Sequence, residues 1–196
     1  MFERAPQVGD VILSNDEEKI NNLFKMLSKE IVTRKREFAA YGGDYDNYNK
    51  KSGKTKPAIV VVINNYMAFA ELFDYLSGEL MLLTRDGVKY GIYFVMSCSS
   101  TNAIRFNLLQ NFKQLLTLEL NDETGYSGIV GKTEGVLPAK YKGRGLVALD
   151  KVYEFQTAHA IESDDEYESI KKMCTDIAAC ADSFAVKVPV LPEVVD

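Results

Sequence analysis

A chain of 196 residues is long enough for a full-sized domain with its own core, and 46% apolar with 26% charged residues is the balance of an ordinary soluble globular protein. Twenty-three lysines and arginines against 28 aspartates and glutamates leave a net charge of −5, which argues against wholesale binding to nucleic acid or anionic membrane. One histidine and three cysteines without metal-ligand spacing exclude a histidine-rich metal site or two-histidine catalysis, and no apolar run nears the roughly 20 residues of a membrane-spanning helix.

In chain order, Val8 to Ser14 reads as a short strand and its exit, with Ser14 or Asn15 capping a helix. The steps between Ile20, Leu23, Phe24, Leu27, Ile31 and Phe38 are helical, with Lys29, Arg34, Lys35 and Arg36 on the exposed face and a stop at Gly42-Gly43. Residues 42–57 are polar and bear tyrosines, and read as a flexible loop. Ala58 to Ile63 is a continuous β-branched run that predicts a central parallel strand covered on both faces. Phe69 to Leu83 predicts a helix ending near Asp86-Gly87, and Ile92–Met96 a second buried strand. A short helix over 103–111, a third strand over Leu115–Leu120 and a glycine-rich loop over 121–145 follow. A hairpin turning at Asp150-Lys151 and a last helix over 165–181 close the pattern. Strands alternating with helices imply an α/β fold around a largely parallel sheet, with no internal repeat and no second domain.

Two strings imitate a phosphate-binding loop, Ser52-Gly53-Lys54-Thr55 and Gly131-Lys132-Thr133. The full motif needs a glycine five residues earlier, where positions 48 and 126 are both tyrosine, and a helix afterwards, so both are decoys. The run Ile59 to Asn65 has the shape of a Walker B strand, but Asn64 and Asn65 stand where an Asp would hold Mg²⁺ and a Glu would activate water. Asparagine is neutral and accepts no proton, and asparagine also ends ordinary strands because it suits turns. Ser97 to Asn102 lies at the carboxyl end of the next strand, where open α/β sheets place ligands. Cys98 as a nucleophile would need a base, and His159 is the one histidine in the sequence. Gly143-Arg144-Gly145 offers either a free arginine for a phosphate or carboxylate, or simply a tight turn before a strand.

The order Val8-Gly9-Asp10-Val11, a helix with Arg34-Lys35-Arg36, a loop with Tyr48-Asn49, and then the aliphatic strand resembles the FtsK/SpoIIIE motor ATPases. Ser99-Ser100-Thr101-Asn102-Ala103-Ile104-Arg105-Phe106, Tyr126-Ser127-Gly128-Ile129-Val130-Gly131-Lys132-Thr133, and Gly143-Arg144-Gly145-Leu146-Val147 with Glu154-Phe155-Gln156 narrow the likeness to the EssC-type ATPases of type VII secretion. The resemblance covers roughly residues 7–160.

It implies a RecA-like P-loop ATPase sheet with flanking helices, truncated before its Walker A segment. The implied organisation is an ATPase module over 1–160 lacking its P-loop, a helix over 161–186, and a linker over 187–196, including Pro189-Val190-Leu191-Pro192, toward a following module. Asn64 and Asn65 become a degenerate Walker B end, Ser97 and Ser99 a sensor-like strand end, and Arg105 and Arg144 contacts to a neighbouring subunit's phosphates. ATP and Mg²⁺ belong to the parent protein, with none expected on this segment. The parent is expected to be a hexamer anchored in the bacterial plasma membrane that exports WXG-type proteins. This segment would pack on neighbouring modules and regulate them, bind no DNA, and dimerise alone through exposed apolar surface. A DNA-translocating relative and a nucleotide-independent protein-interaction domain are the alternatives.

Overall fold

The computed structural model describes residues 2–100, 102–159 and 161–188. Its elements are α1 (Glu17–Phe38), α2 (Tyr45–Lys51), β1 (Ile59–Ile63), α3 (Tyr66–Leu72), α4 (Ser77–Asp86), β2 (Ile92–Met96), α5 (Phe106–Leu109), β3 (Leu116–Leu118), α6 (Thr124–Val130), β4 (Arg144–Ala148), β5 (Val152–Gln156) and α7 (Glu166–Ala179). Helix α1 begins at Asp16, not Ser14 or Asn15, because the Asp16 carboxylate accepts from the Lys19 amide at 3.2 Å. It ends through a 3-10 turn at Gly42, whose φ of 109° is left-handed.

Several expectations are corrected. Residues 8–13 form no strand; their neighbourhood is met by the far end of the chain, where the Ala185 amide donates to the Pro6 carbonyl at 2.7 Å. The segment 42–57 is not a bare loop. Asp44 caps α2 by accepting from the Asn47 amide at 2.8 Å, and Tyr48 is buried in an aromatic cluster. The single helix expected beyond Asn65 is two, α3 and α4, broken at Phe73, where φ −128° and ψ 38° leave the helical region. Residues 121–145 contain α6.

The sheet is also not largely parallel. Strands β1 and β2 form a two-stranded sheet, and β3, β4 and β5 a separate three-stranded one in that order. The Ile59 amide donates to the Gly91 carbonyl and the Ser97 amide to the Ile63 carbonyl, so β1 and β2 rise together and are parallel. This register sets Val62 beside Val95. The second sheet is antiparallel, with Leu116 opposite Val147 and Arg144 opposite Gln156. Strand β1 is not covered on both faces: Ile63 is buried, while Val60 and Val62 are 58% and 69% exposed.

The described residues cluster in two compact units. The first lies within Met1–Val60, Tyr75–Tyr93 and Ala160–Asp196, and the second within Val61–Asp74 and Phe94–His159. In the first, Phe24 and Leu27 of α1 and Leu80 and Leu83 of α4 are buried, and Phe38, Tyr48 and Tyr90 form a second cluster. Arg34 belongs to this interior and not to the exposed face. It is 1% exposed, donating to the carbonyls of Tyr90 at 2.8 Å and Pro57 at 2.9 Å and to the Glu30 carboxylate at 2.7 Å. In the second unit, Tyr126 and Val130 of α6 pack on Leu146 of β4, and the Tyr126 hydroxyl accepts from the Leu120 amide at 2.7 Å. The expected linker over 187–196 lies outside the described residues from Pro189 on.

Candidate functional site

The carboxyl ends of β1 and β2 bring Asn64, Asn65 and Ser97 together, all in the second unit and all exposed. The Ser97 hydroxyl donates to Asn64 Oδ1 at 2.7 Å and accepts from the Asn65 amide at 3.0 Å. The Ser97 carbonyl accepts from the Tyr66 amide at 2.8 Å. Asn65 has φ 61° and ψ 71°, the left-handed region that asparagine tolerates better than most residues. Its side-chain oxygen accepts from the Ala68 amide at 3.4 Å and opens α3.

This donor set does not fit Mg²⁺. Magnesium wants carboxylate oxygens and near-ideal octahedral geometry, usually with waters and substrate phosphates. Here the available groups are two neutral amides and a hydroxyl, and both amide oxygens already accept protein hydrogen bonds, Asn64 Oδ1 from Ser97 and Asn65 Oδ1 from the Ala68 amide. Among the described residues no three His, Cys, Asp or Glu side chains converge as metal ligands.

A cavity of about 320 Å³ adjoins these strand ends. Tyr66, Met67 and Glu71 of α3 form one wall, and Asn102, Ala103 and Arg105 the other. Burial pushes the Tyr66 phenol up from its ordinary value, Arg105 opposes this, and Asp74 adds to it. Arg105 Nη2 lies 3.2 Å from Asp74 Oδ1, and both side chains are largely exposed, so the pair is weak and solvent-screened. Ser99 does not join the Asn64 cluster; its hydroxyl contacts Met67 Sδ at 3.7 Å.

Arg144 has different partners from Arg105. On β4 its Nη1 is 3.6 Å from Glu154 Oε1 of β5, and Glu154 also accepts from the Ala139 amide at 2.7 Å. Its Nε is buried without a hydrogen-bond partner. Gly143, at φ 85°, supplies the left-handed turn ahead of the strand. The two glycine–lysine–threonine strings have the wrong context for a phosphate loop: Gly53 follows α2 and precedes a strand, and Gly131 follows α6.

Asn64, Asn65, Ser97 and the run to Asn102 are legible in the sequence as strand-end residues, but the bonds among the first three and the part of Tyr66 and Met67 in the cavity are not. The usable signal was Asn65 itself, an amide directly before a helical run, which is where a left-handed cap belongs.

No protein-family model matches the chain. The ESX secretion system protein YukB of Bacillus subtilis is 28% identical over 197 residues, taking in 97% of this chain and 13% of YukB. Among solved structures, EssC (ATPases 2 and 3) from Geobacillus thermodenitrificans matches with a TM-score of 0.84 at 23% identity, over 98% of this chain and 38% of that one. Thermomonospora curvata EccC (ATPases 2 and 3), solved with a signal sequence peptide, matches with a TM-score of 0.75 at 21% identity, over 97% of this chain and 36% of that one. The mixed α/β fold is therefore shared with these ATPase regions, and the homologues of the chain are the type VII secretion proteins of the EssC, EccC and YukB kind.

Proposed function

We propose that this chain is one module of a type VII secretion motor, a degenerate ATPase module whose role is to pack on neighbouring ATPase modules of the same protein and regulate them. The observation that carries this reading is the state of the strand-end oxygens that would face a cation: both are neutral, and both are already engaged, Asn64 Oδ1 by the Ser97 hydroxyl and Asn65 Oδ1 by the Ala68 amide. In this reading ATP and Mg²⁺ belong to the parent protein, and none is expected on this chain. The parent works as a membrane-anchored hexamer that exports WXG-type proteins. Arg105 and Arg144 are the side chains proposed to meet a neighbour's phosphates: Asp74 holds Arg105 only in an exposed pair, whereas for Arg144, whose Nε is buried and whose Nη1 lies 3.6 Å from Glu154, the proposal rests on the resemblance alone.

Calorimetric titration with Mg·ATP tests the reading on the 196-residue chain. The expected result is no binding by the wild type. The Asn64→Asp/Asn65→Glu variant separates charge from geometry: cation-dependent binding gained there places the defect in the two neutral amides. Low-micromolar binding by the wild type overturns the reading, because a nucleotide site would then exist without either motif. The DNA-translocating alternative predicts salt-sensitive DNA binding, which a net charge of −5 opposes.

A further inference from the structure

We propose that Ser97 is a positioning residue whose hydroxyl latches the end of β1 to the end of β2 and so sets the spacing between the two walls of the cavity beside α3. One wall begins at Tyr66, the residue directly after Asn65. The other begins at Asn102, in the loop that leaves β2 through Ser97. Whatever fixes Asn65 against Ser97 therefore fixes where the Tyr66 wall starts and anchors the chain five residues ahead of the Asn102 wall.

The parallel ladder supplies only part of that connection. The Ser97 amide donates to the Ile63 carbonyl at 3.0 Å, and the Tyr66 amide donates to the Ser97 carbonyl at 2.8 Å. Between these two bonds the chain turns through Asn65 in the left-handed region, which a ladder does not stabilise. The hydroxyl closes this gap. Donation to Asn64 Oδ1 at 2.7 Å orients its proton, and that orientation turns a lone pair toward the Asn65 amide at 3.0 Å. A neutral amide at position 64 suits this use, since its oxygen accepts the hydroxyl proton without demanding a counter-charge. The latch deepens the reading of the strand ends as given over to structure, and it is judged by a separate observable.

Amide hydrogen exchange on the intact 196-residue chain provides the test. Ser97→Ala is expected to speed exchange of the Asn65 amide about tenfold, the size of one lost hydrogen bond, while amides of α1 are unchanged. Amide shifts of Met67 and Ala103, one on each wall, are expected to move together. Ser97→Thr, which keeps the hydroxyl, restores both. Asn64→Leu removes the acceptor, and the double variant with Ser97→Ala exchanges no faster than Ser97→Ala alone, because the two groups act as one unit. Unchanged Asn65 exchange in Ser97→Ala, or an additive double variant, overturns the latch. A change in wild-type Asn65 exchange on adding Mg·ATP counts against the nucleotide-free reading instead, and leaves the latch to be decided by Ser97→Ala.

Discussion

Arg34 carries the sharpest lesson at the scale of one residue. Read within Lys29, Arg34, Lys35 and Arg36 it looks like part of a solvated basic face. Its spacing points the other way: Leu27, Ile31, Arg34 and Phe38 step by four, three and four, the spacing of a single helical face, and Leu27 and Phe38 are 0% exposed. Charge identity outweighed periodicity, although only the flat five-donor fork of an arginine could satisfy carbonyls from Pro57 and Tyr90 at once. Arg34→Ala leaves those carbonyls and Glu30 without their donor and is expected to cost about 3 kcal/mol, read as a lower urea midpoint at unchanged slope. Arg34→Lys recovers only part of the loss, since one ammonium cannot span both carbonyls; full recovery would mean that charge alone matters. Gly91 makes a second residue-scale case. Its φ is 72°, and a Cβ there would run into the Tyr45 ring. Gly91→Ala should destabilise by about 1–3 kcal/mol, and by measurably less in a Tyr45→Ala background, where only the backbone strain remains.

At the scale of elements, the long helix, the two strands of the first pair and the hairpin were legible because their periodicities are uninterrupted over several residues. Helix α2 was not, because its signal is composition-blind. Gly-Gly-Asp-Tyr-Asp-Asn-Tyr-Asn looks like a loop, yet Asp44 is a good cap and Tyr48 is the anchor, with ring centroids 4.5 Å from Phe38 and 5.3 Å from Tyr41. The Asp44 carboxyl is held below its ordinary value by the Asn47 backbone amide first and the Asn47 side chain second. A carboxyl with a lowered folded value gives its stabilisation fully above the unfolded value of 3.8, and that stabilisation fades as pH falls through the lower folded value. The near-UV dichroism of the tyrosine cluster should therefore hold steady down to about the unfolded value and weaken below it. In Asp44→Ala the component due to the cap is absent, so the acid-induced change should shrink. An identical acid profile in the two proteins would remove Asp44 from the account.

At the scale of the whole molecule, the β-branched run of β1 has the composition of a strand with both faces covered, and the expectation failed for a reason that composition cannot reveal. Cover is a property of what lies alongside, and Val62 and Val95, adjacent across the parallel pair, are 69% and 53% exposed. Parallel strands are ordinarily covered on both sides, and two strands alone make a marginal sheet. The division into two units was likewise hidden, since each is assembled from segments far apart in sequence. If the chain packs on neighbouring modules as proposed, one of them covers these valines; for the chain by itself the available cover is a second copy. Sedimentation should then reveal a concentration-dependent dimer. Val62→Thr with Val95→Thr should shift it toward monomer while sparing the fold, because threonine keeps the β-branched shape and changes only the polarity of the face. A wild-type chain that stays monomeric at high concentration would mean that the bare face is tolerated in water, and the packing of this module on a neighbour through β1 and β2 would lose its physical basis.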